Sequence, residues 1–147
     1  MQSSLTAPIS LECMCASFRR AARTLTQLYD GALRPLGLRT TQFTILRVLF
    51  SMGEVSQGEL GKVLAMDSTS LSRTLRIMLR HGWLEERPGR DRRERLLRLA
   101  KAGEEQLKRA TSAWQKTQTQ LRSALGDIRW RRLLAASNDL THVIQMS

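Results

Sequence analysis

Arginine and small hydroxyl side chains are concentrated between residues 68 and 101, where ten basic residues stand against four acidic ones. Arginine binds guanine bidentately, and serine or threonine hydroxyls hydrogen-bond base edges or phosphates. These residues fall in a helix pattern from about Asp67 to Gly82, followed by two short strand patterns, Trp83–Arg87 and Arg95–Leu99. We expect the helix to fit the major groove of a duplex, and the arginine-rich tip between the strands to reach a neighbouring groove or phosphates.

The predicted helix has one apolar and one polar face. On a helical wheel of about 100° per residue, Leu75, Met78 and Leu79 fall on the side of Leu71. The opposite face has no acidic residue from position 68 to 84, which favours DNA over the alternative of a solvated helix face. Such helices enter the groove by their N-terminal half. We therefore expect the residues near the start of the helix to contact bases, and Arg80 to contact a phosphate. The residues predicted to contact DNA are Gln57, Ser68, Thr69, Ser70, Arg73, Arg76, Arg80, Arg90, Arg92 and Arg93.

The tip between the two strands has one acid, Asp91, among three arginines. Asp91 is predicted to support the wing, which is the hairpin formed by the two strand patterns and the tip between them. It would do so either by pairing with Arg93 or by capping its backbone. Because three arginines are too many for one carboxylate, some of them must face outward.

The overall charge agrees with an anionic partner. The 147 residues carry a net charge of +11 with a pI of about 11.3, which favours nucleic acid first and an anionic membrane second. A merely soluble basic protein is the alternative. The 41% apolar fraction suffices for a core. No run approaches the roughly 18 apolar residues of a membrane span, the start does not resemble a signal peptide, and two cysteines without export signals imply a reducing cytoplasm.

The segment before the basic helix completes a helix-turn-helix. A helix is predicted from about Thr41 to Met52, and Val55 is expected to add a short strand. Ser56 and Glu59 form a capping-box pattern for a short helix that ends at Leu64. Helix, tight turn and second helix are the helix-turn-helix arrangement.

Long helices flank the predicted helix-turn-helix and hairpin of residues 37–100, which we call the reader. A first helix is predicted with Ser10 as its N-cap, a second from Gly103 to the break at Gly126-Asp127, and a last one that buries Leu133, Leu134, Leu140 and Val143. They have little core of their own, so we expect them to pack on a second copy. Residues 37–100 would form a winged helix-turn-helix domain, and 1–36 with 101–147 a helical dimerisation region. The fold class is mainly α with a small β-hairpin wing. The predicted interface residues are Leu11, Phe18, Leu25, Leu107, Trp114, Leu121 and Leu140.

Short matching runs extend from the first helix to the start of the long helix after the wing: Tyr29-Asp30, Leu36-Gly37-Leu38, Thr41–Leu46, Ser56–Leu60, Leu79–Leu84, Asp91-Arg92-Arg93, Leu97-Arg98-Leu99 and Gly103. They resemble the multiple-antibiotic-resistance regulator (MarR) family of winged-helix transcription regulators, over about residues 13–125. The resemblance implies a homodimer on a pseudo-palindromic operator, usually a repressor, released by a small ligand or by thiol oxidation. The family's wing arginine maps onto Arg93 and its partner acid onto Asp91. Ala100 departs from the pattern, which usually has threonine there as a helix cap.

The two cysteines have two interpretations. Cys15 falls on the predicted buried stripe of the first helix, where it can be a small core residue, and Cys13 falls on the opposite face, where it would be incidental. The resemblance offers another role, because the hydroperoxide-sensing branch of the family has its reactive cysteine at the position of Cys15. That branch supplies tyrosines to the thiolate; this chain keeps Tyr29 but has Arg19 and Thr40 at the others. Cys15 and Cys13 are therefore candidate redox sensors.

Other chemistry finds little support in the sequence. Gly58–Lys62 lacks the spacing of a phosphate-binding loop, and the two histidines, His81 and His142, are isolated. No metal site, cofactor or enzymatic activity is expected. The sequence therefore predicts a homodimeric, sequence-specific regulator that binds double-stranded DNA, with an unknown small-molecule inducer and no membrane partner. The alternative from another class is an architectural DNA-binding protein that is indifferent to sequence.

Overall fold

The computed structural model describes residues 9–147, and in this part of the chain six α-helices surround a small antiparallel sheet. The strand order is β1-β3-β2, with Val55 opposite Leu97 in one pair and Leu84 opposite Leu99 in the other. The predicted fold class, mainly α with a small wing, is confirmed, and the sheet contains the additional strand at Val55. The elements are α1 (Met14–Leu33), α2 (Thr40–Met52), β1 (Val55–Ser56), α3 (Gln57–Leu64), α4 (Ser68–Arg80), β2 (Leu84–Pro88), β3 (Arg95–Leu99), α5 (Lys101–Leu125) and α6 (Asp127–Gln145).

The core lies where α2 crosses the sheet and the two helices of the helix-turn-helix. Side chains from every element of the reader meet there, and α5 contributes Leu107 and Ala110. The apolar face predicted for α4 is confirmed, because Leu71, Leu75 and Met78 are all buried. This packing leaves the opposite face of α4 toward solvent. The largest fully buried side chains are Leu33, Leu38, Phe43, Ile45, Leu46, Leu49, Leu60, Leu71, Met78 and Leu97.

The helix-turn-helix is held by two local caps that the sequence predicts. Ser56 Oγ accepts a hydrogen bond from the Glu59 backbone at 3.1 Å, and the Glu59 carboxylate accepts one from the Ser56 backbone at 3.0 Å. Asp67 accepts a bond from the Ser70 N–H at 2.9 Å, which holds the pKa of that carboxyl below its usual value. Ala65 occupies the left-handed region with φ 51° and closes the turn between α3 and α4. These caps set the start of the helix predicted to read DNA.

A further cap, at the start of α2, comes from a residue ten positions earlier in the chain. Asp30, on α1, accepts hydrogen bonds from the Thr40 backbone and hydroxyl, both at 2.7 Å. Partial burial raises the pKa of Asp30, but the bonds from Thr40 and the nearby Arg39 guanidinium outweigh it, so the pKa lies below the usual value. The same carboxylate thus ties α1 to α2.

The first helix begins later than predicted. It starts at Met14, and its N-cap is Cys13, which makes no side-chain capping bond; Ser10 is not the cap. The preceding segment is held against the helix instead, since Ser17 Oγ donates to the Leu11 carbonyl at 2.7 Å and Arg20 donates to the Ile9 carbonyl at 2.7 Å. Leu11 and Cys13 therefore lie outside the helix, and the expectation that Cys13 occupies its outer face is wrong.

The fifth helix begins at Lys101, two residues before the predicted start, and its N-cap Ala100 makes no side-chain bond. Ala100 has φ −81° and ψ 163°, the backbone conformation in which threonine or serine caps a helix. We expect Ala100→Thr to raise the free energy of unfolding by about 0.5–2 kcal/mol, because the hydroxyl would satisfy an open N–H. Thermal or urea unfolding measures it. Ala100→Val, which is branched but has no hydroxyl, is the control and should give no such gain.

The flanking helices differ from prediction in what they bury. Leu107 is only 8% exposed and belongs to the protomer's own core, so its assignment to an interface between copies is wrong. Trp114 packs on Phe43, with ring centroids 5.7 Å apart, and beneath Arg47 at 4.0 Å, so it too has partners within the chain. In α6 no residue is buried within the protomer, so the predicted burial of Leu133, Leu134, Leu140 and Val143 does not come from this chain's own core.

The break between the last two helices lies where the sequence predicts it. Gly126 adopts φ 80° between α5 and α6, and Asp127 forms an ion pair with Arg122 across the corner at 2.7 Å. None of the helices in residues 9–147 combines the length and the apolar character that a membrane span requires.

Candidate nucleic-acid interface

The polar face of α4 is open to solvent along its length. One stripe at helical spacing carries Thr69, Arg73, Arg76 and Arg80, and each of these side chains is exposed. Ser68 and Ser70 are exposed beside the first turn. Among the described residues none of the three arginines of this face has a carboxylate within salt-bridge distance. The face therefore presents uncompensated guanidinium groups on a rigid helix.

The arginines on the strands of the wing are paired with acids. Arg95 binds Glu86 at 2.5 Å, and Arg98 binds Glu85 at 2.6 Å, both across the β2–β3 pair. Arg87 forms a bidentate pair with Glu54, which precedes β1. These pairs lie on the exposed surface of the sheet, where their charges largely cancel.

The tip of the wing is different from its strands. Arg90, Arg92 and Arg93 are exposed, and in residues 9–147 none of them has an acidic partner within 4.0 Å. Asp91 accepts a hydrogen bond from the Arg93 backbone N–H at 3.2 Å. Of the two alternatives for Asp91, the structure therefore has the backbone cap. The carboxylate shapes the loop and leaves the Arg93 guanidinium free.

The loop at the tip is closed by two further backbone bonds. The Gly89 N–H donates to the Glu94 carbonyl at 2.9 Å, and the Glu94 N–H donates to the Asp91 carbonyl at 2.9 Å. The Glu94 side chain folds over Gly89, where an added Cβ would come within 2.3 Å of its carboxylate. The tip is thus a compact turn that projects its arginines outward.

Gln57, predicted to contact DNA, has an intramolecular partner. Its Nε2 donates to Ser72 Oγ on α4 at 2.8 Å. Gln57 also lines a cleft of about 650 Å³ between the start of α3 and the wing, with Arg93 on the other wall. The amino-acid sequence does not distinguish Ser72 from the other hydroxyl residues of α4, because nothing local indicates which of them faces α3.

The cysteines and Tyr29 lie at opposite ends of α1. Cys15 is the second residue of the helix, and both it and Cys13 are exposed in the protomer, so Cys15 does not lie on a stripe buried within the chain. Tyr29 is fourteen residues further on, roughly 21 Å along a helix that rises about 1.5 Å per residue. Its hydroxyl donates to Gln118 Oε1 on α5, and burial raises its pKa. Within one protomer, Cys15 and Tyr29 are therefore too far apart for contact.

The histidines show no sign of a metal centre. His81 ends α4 as predicted and stacks on Trp83 with ring centroids 4.4 Å apart. In the part of the chain that the structure describes, no three His, Cys, Asp or Glu side chains gather as metal ligands would.

Comparison with known proteins places the reader in a family. The model of the MarR family matches residues 36–94. Among curated proteins, the HTH-type transcriptional regulator YwoH of Bacillus subtilis is 31% identical over 85 residues, 58% of this chain and 62% of that protein. The multiple antibiotic resistance protein MarR of Salmonella typhimurium is 36% identical over 78 residues, 52% of this chain and 54% of that protein. The match thus spans little more than half the length of these relatives.

Solved structures extend the similarity to nearly the whole chain. The transcriptional regulator MosR of M. tuberculosis, in complex with DNA, is 34% identical with a TM-score of 0.83, covering 92% of this chain and 98% of that one. A mutant MarR from E. coli, complexed with operator DNA, has a TM-score of 0.77 at 22% identity and supports the fold alone. MosR is named a transcriptional regulator, and so is YwoH. With its winged helix-turn-helix, its matching reader and this near-complete structural relative, the chain belongs to the MarR family.

Proposed function

We propose that this chain is a homodimeric transcription regulator that binds double-stranded DNA at a pseudo-palindromic operator and represses a nearby operon. The observation that carries the proposal is the pairing pattern of the arginines. Those on the wing strands are bound by acids, whereas those on α4 and at the wing tip are exposed without an acidic partner among the described residues. The free guanidinium groups therefore lie where a duplex would meet the reader.

Groove geometry supports the same proposal. The exposed α4 stripe of Thr69, Arg73 and Arg76 has the donors that read guanine and other base edges in the major groove. The compact tip with Arg90, Arg92 and Arg93 suits a neighbouring groove or phosphates. The relative MosR was crystallised with DNA, which supports DNA as the partner of this chain.

Selection from a pool of random duplexes tests the function. A regulator of this kind should enrich an inverted repeat with half-site centres separated by about one DNA turn, roughly 34–36 Å. Binding should weaken steeply as salt rises, because neutralised phosphates release counterions. Enrichment of no motif, with equal affinity for all duplexes, would indicate a sequence-indifferent DNA-coating protein and contradict the proposal.

The homodimer is proposed from the apolar residues that α1 and α6 leave exposed. Phe18 and Leu25 on α1 are 40% and 42% exposed, while Leu133 and Leu134 on α6 are 57% and 51% exposed. Large apolar side chains exposed on two helices that both pack on α5 suggest an association site. A second copy satisfies it with twofold symmetry, and the α1, α5 and α6 region would then be the dimerisation region around the reader at 37–100. Leu11, Leu121 and Leu140 are proposed as further residues of this interface.

We expect Leu134→Asp to dissociate the dimer, because a charge on this face would be buried by the second copy. Sedimentation at micromolar concentration should give a dimer for the wild type and a monomer with retained helical circular dichroism for the variant. Val63→Asp is the matched control, since Val63 is 52% exposed but lies on α3. A wild type that sediments as a folded monomer would exclude the proposed assembly.

Release from DNA is proposed to follow either a small ligand or oxidation of Cys15. If the two α1 helices meet in the dimer, Cys13 of one chain can resolve a sulfenate formed at Cys15 of the other. We expect hydroperoxide to weaken operator binding by the wild type and not by Cys15→Ser, with Cys13→Ser intermediate or normal. Gel-shift titration with and without oxidant measures the effect. An oxidant-insensitive wild type would leave a small ligand as the inducer.

A further inference from the structure

The hydroxyl of Ser72 lies on the side of α4 that faces α3, and Gln57 holds it there. Gln57 Nε2 donates to Ser72 Oγ at 2.8 Å in a half-buried contact between residues 15 apart in the chain. An amide N–H can only donate, so Ser72 Oγ is the acceptor in this bond. The hydroxyl proton of Ser72 must therefore point away from Gln57.

That proton has no acceptor among residues 9–147, which sets Ser72 apart from its neighbour Thr74. The Thr74 hydroxyl donates to the Ser70 carbonyl at 3.1 Å, so its proton is already used within the helix. Both side chains are half-buried. Ser72 lies one turn before the exposed Arg76, and its free donor is thus at the edge of the α4 face that carries the unpaired guanidinium groups.

We propose that Gln57 is a positioning residue that makes Ser72 a hydrogen-bond donor toward an acceptor on DNA. The inference rests on the proposed function, because it requires that α4 meets a duplex. The acceptor is an oxygen or ring nitrogen, on either a base edge or a phosphate. Gln57 then acts through Ser72 and need not contact DNA itself.

The consequence of this arrangement is directional reading. A freely rotating serine hydroxyl donates or accepts, so it can bind any base in the major groove. The bond from Gln57 occupies one lone pair of Ser72 Oγ and directs the hydroxyl proton away from Gln57, so the hydroxyl favours an acceptor such as guanine O6 or N7, thymine O4 or adenine N7; only its second lone pair remains to accept from the amino group that cytosine presents. Gln57 would therefore increase discrimination against cytosine at the base opposite Ser72.

The test uses the full chain and the tightest-binding duplex recovered from a random pool. Three variants are compared with the wild type: Ser72→Ala, Gln57→Met, which has a similar length but no donor, and the double variant. Thr74→Ala is the matched control. Affinity is measured for the selected duplex and for duplexes that carry each base at every position of one half-site, and thermal unfolding is followed for every variant.

If the acceptor is on a base, Ser72→Ala should lower affinity about 5- to 30-fold and flatten the preference at one base pair. Gln57→Met should lose the discrimination against cytosine at that same base pair while keeping the unfolding midpoint. Adding Gln57→Met to Ser72→Ala should change nothing further, because the two residues act in series. Thr74→Ala should bind like the wild type.

If the acceptor is a phosphate, Ser72→Ala and Gln57→Met should lower affinity equally for all bases. A methylphosphonate at one phosphate should then weaken the wild type and remove its advantage over Ser72→Ala. The inference is overturned if Ser72→Ala binds like Thr74→Ala, or if Gln57→Met loses as much affinity in the Ser72→Ala background as in the wild type. A wild type that recovers no preferred duplex refutes the proposed function instead.

Discussion

Arg93→Ala is expected to cause the largest loss of DNA affinity among single substitutions in the wing. The guanidinium of Arg93 is exposed at the tip, while Asp91 binds only its backbone N–H. One lost contact costs about 1–3 kcal/mol, and a twofold dimer has two wings, so the total is about 2–6 kcal/mol. Titration of the selected duplex should show a Kd raised by about 30-fold or more.

Arg95→Ala is the matched control for this substitution. It removes the same charge from the same wing, but Arg95 is held by Glu86 at 2.5 Å, so we expect only a small loss. Arg73→Ala and Arg76→Ala, on α4, should cost about 1–3 kcal/mol per base contact and relax base preference locally. Wild-type affinity for Arg93→Ala, Arg73→Ala and Arg76→Ala alike would show that the helix and wing have been wrongly assigned to DNA.

Gly103→Ala should produce the largest loss of stability. Gly103 lies in the first turn of α5, directly against the strand side of the reader, and an added Cβ would be 2.1 Å from the Trp83 carbonyl oxygen. That oxygen is backbone and also accepts the Ala100 N–H at 3.0 Å, so it cannot turn aside as a side chain would. We expect a loss of about 1–3 kcal/mol or more, the usual cost of overpacking. Chemical and thermal unfolding measure it.

Gly31→Ala is the control, because it replaces a helix glycine where the added methyl group meets no neighbour. Gly31 lies within α1, and nothing is within 4 Å of the position where its Cβ would lie. Alanine there should leave stability unchanged or raise it by about 0.5–1 kcal/mol, since glycine is unfavourable within a helix. If Gly103→Ala unfolds at the wild-type midpoint, α5 does not approach β2 as closely as the structure has it.

The elements of the reader could be predicted because their determinants are local. Residues three or four positions apart determine the Ser56–Glu59 capping box and the Asp67 cap. The same spacing gives the helical periodicity that buries Leu71 and Leu75. The absence of acidic residues from the polar face of α4 can likewise be predicted from the sequence alone. The predicted start of α1 was wrong because the side chains of Ser17 and Arg20 bind backbone carbonyls of the preceding segment. Helix-propensity scales do not include such bonds.

The sequence by itself therefore determined the winged helix-turn-helix and the residue types it offers to DNA. Tertiary structure decided which of them are free. Arg87 is neutralised by Glu54, 33 residues away, and Asp30 caps α2 from ten residues before Thr40. Whether Leu107 belongs to the protomer's core or to a surface between copies was also decided there. The physical reason is that such contacts depend on the path of the chain in space, and equal periodicity on a helix face cannot tell one apolar neighbour from another.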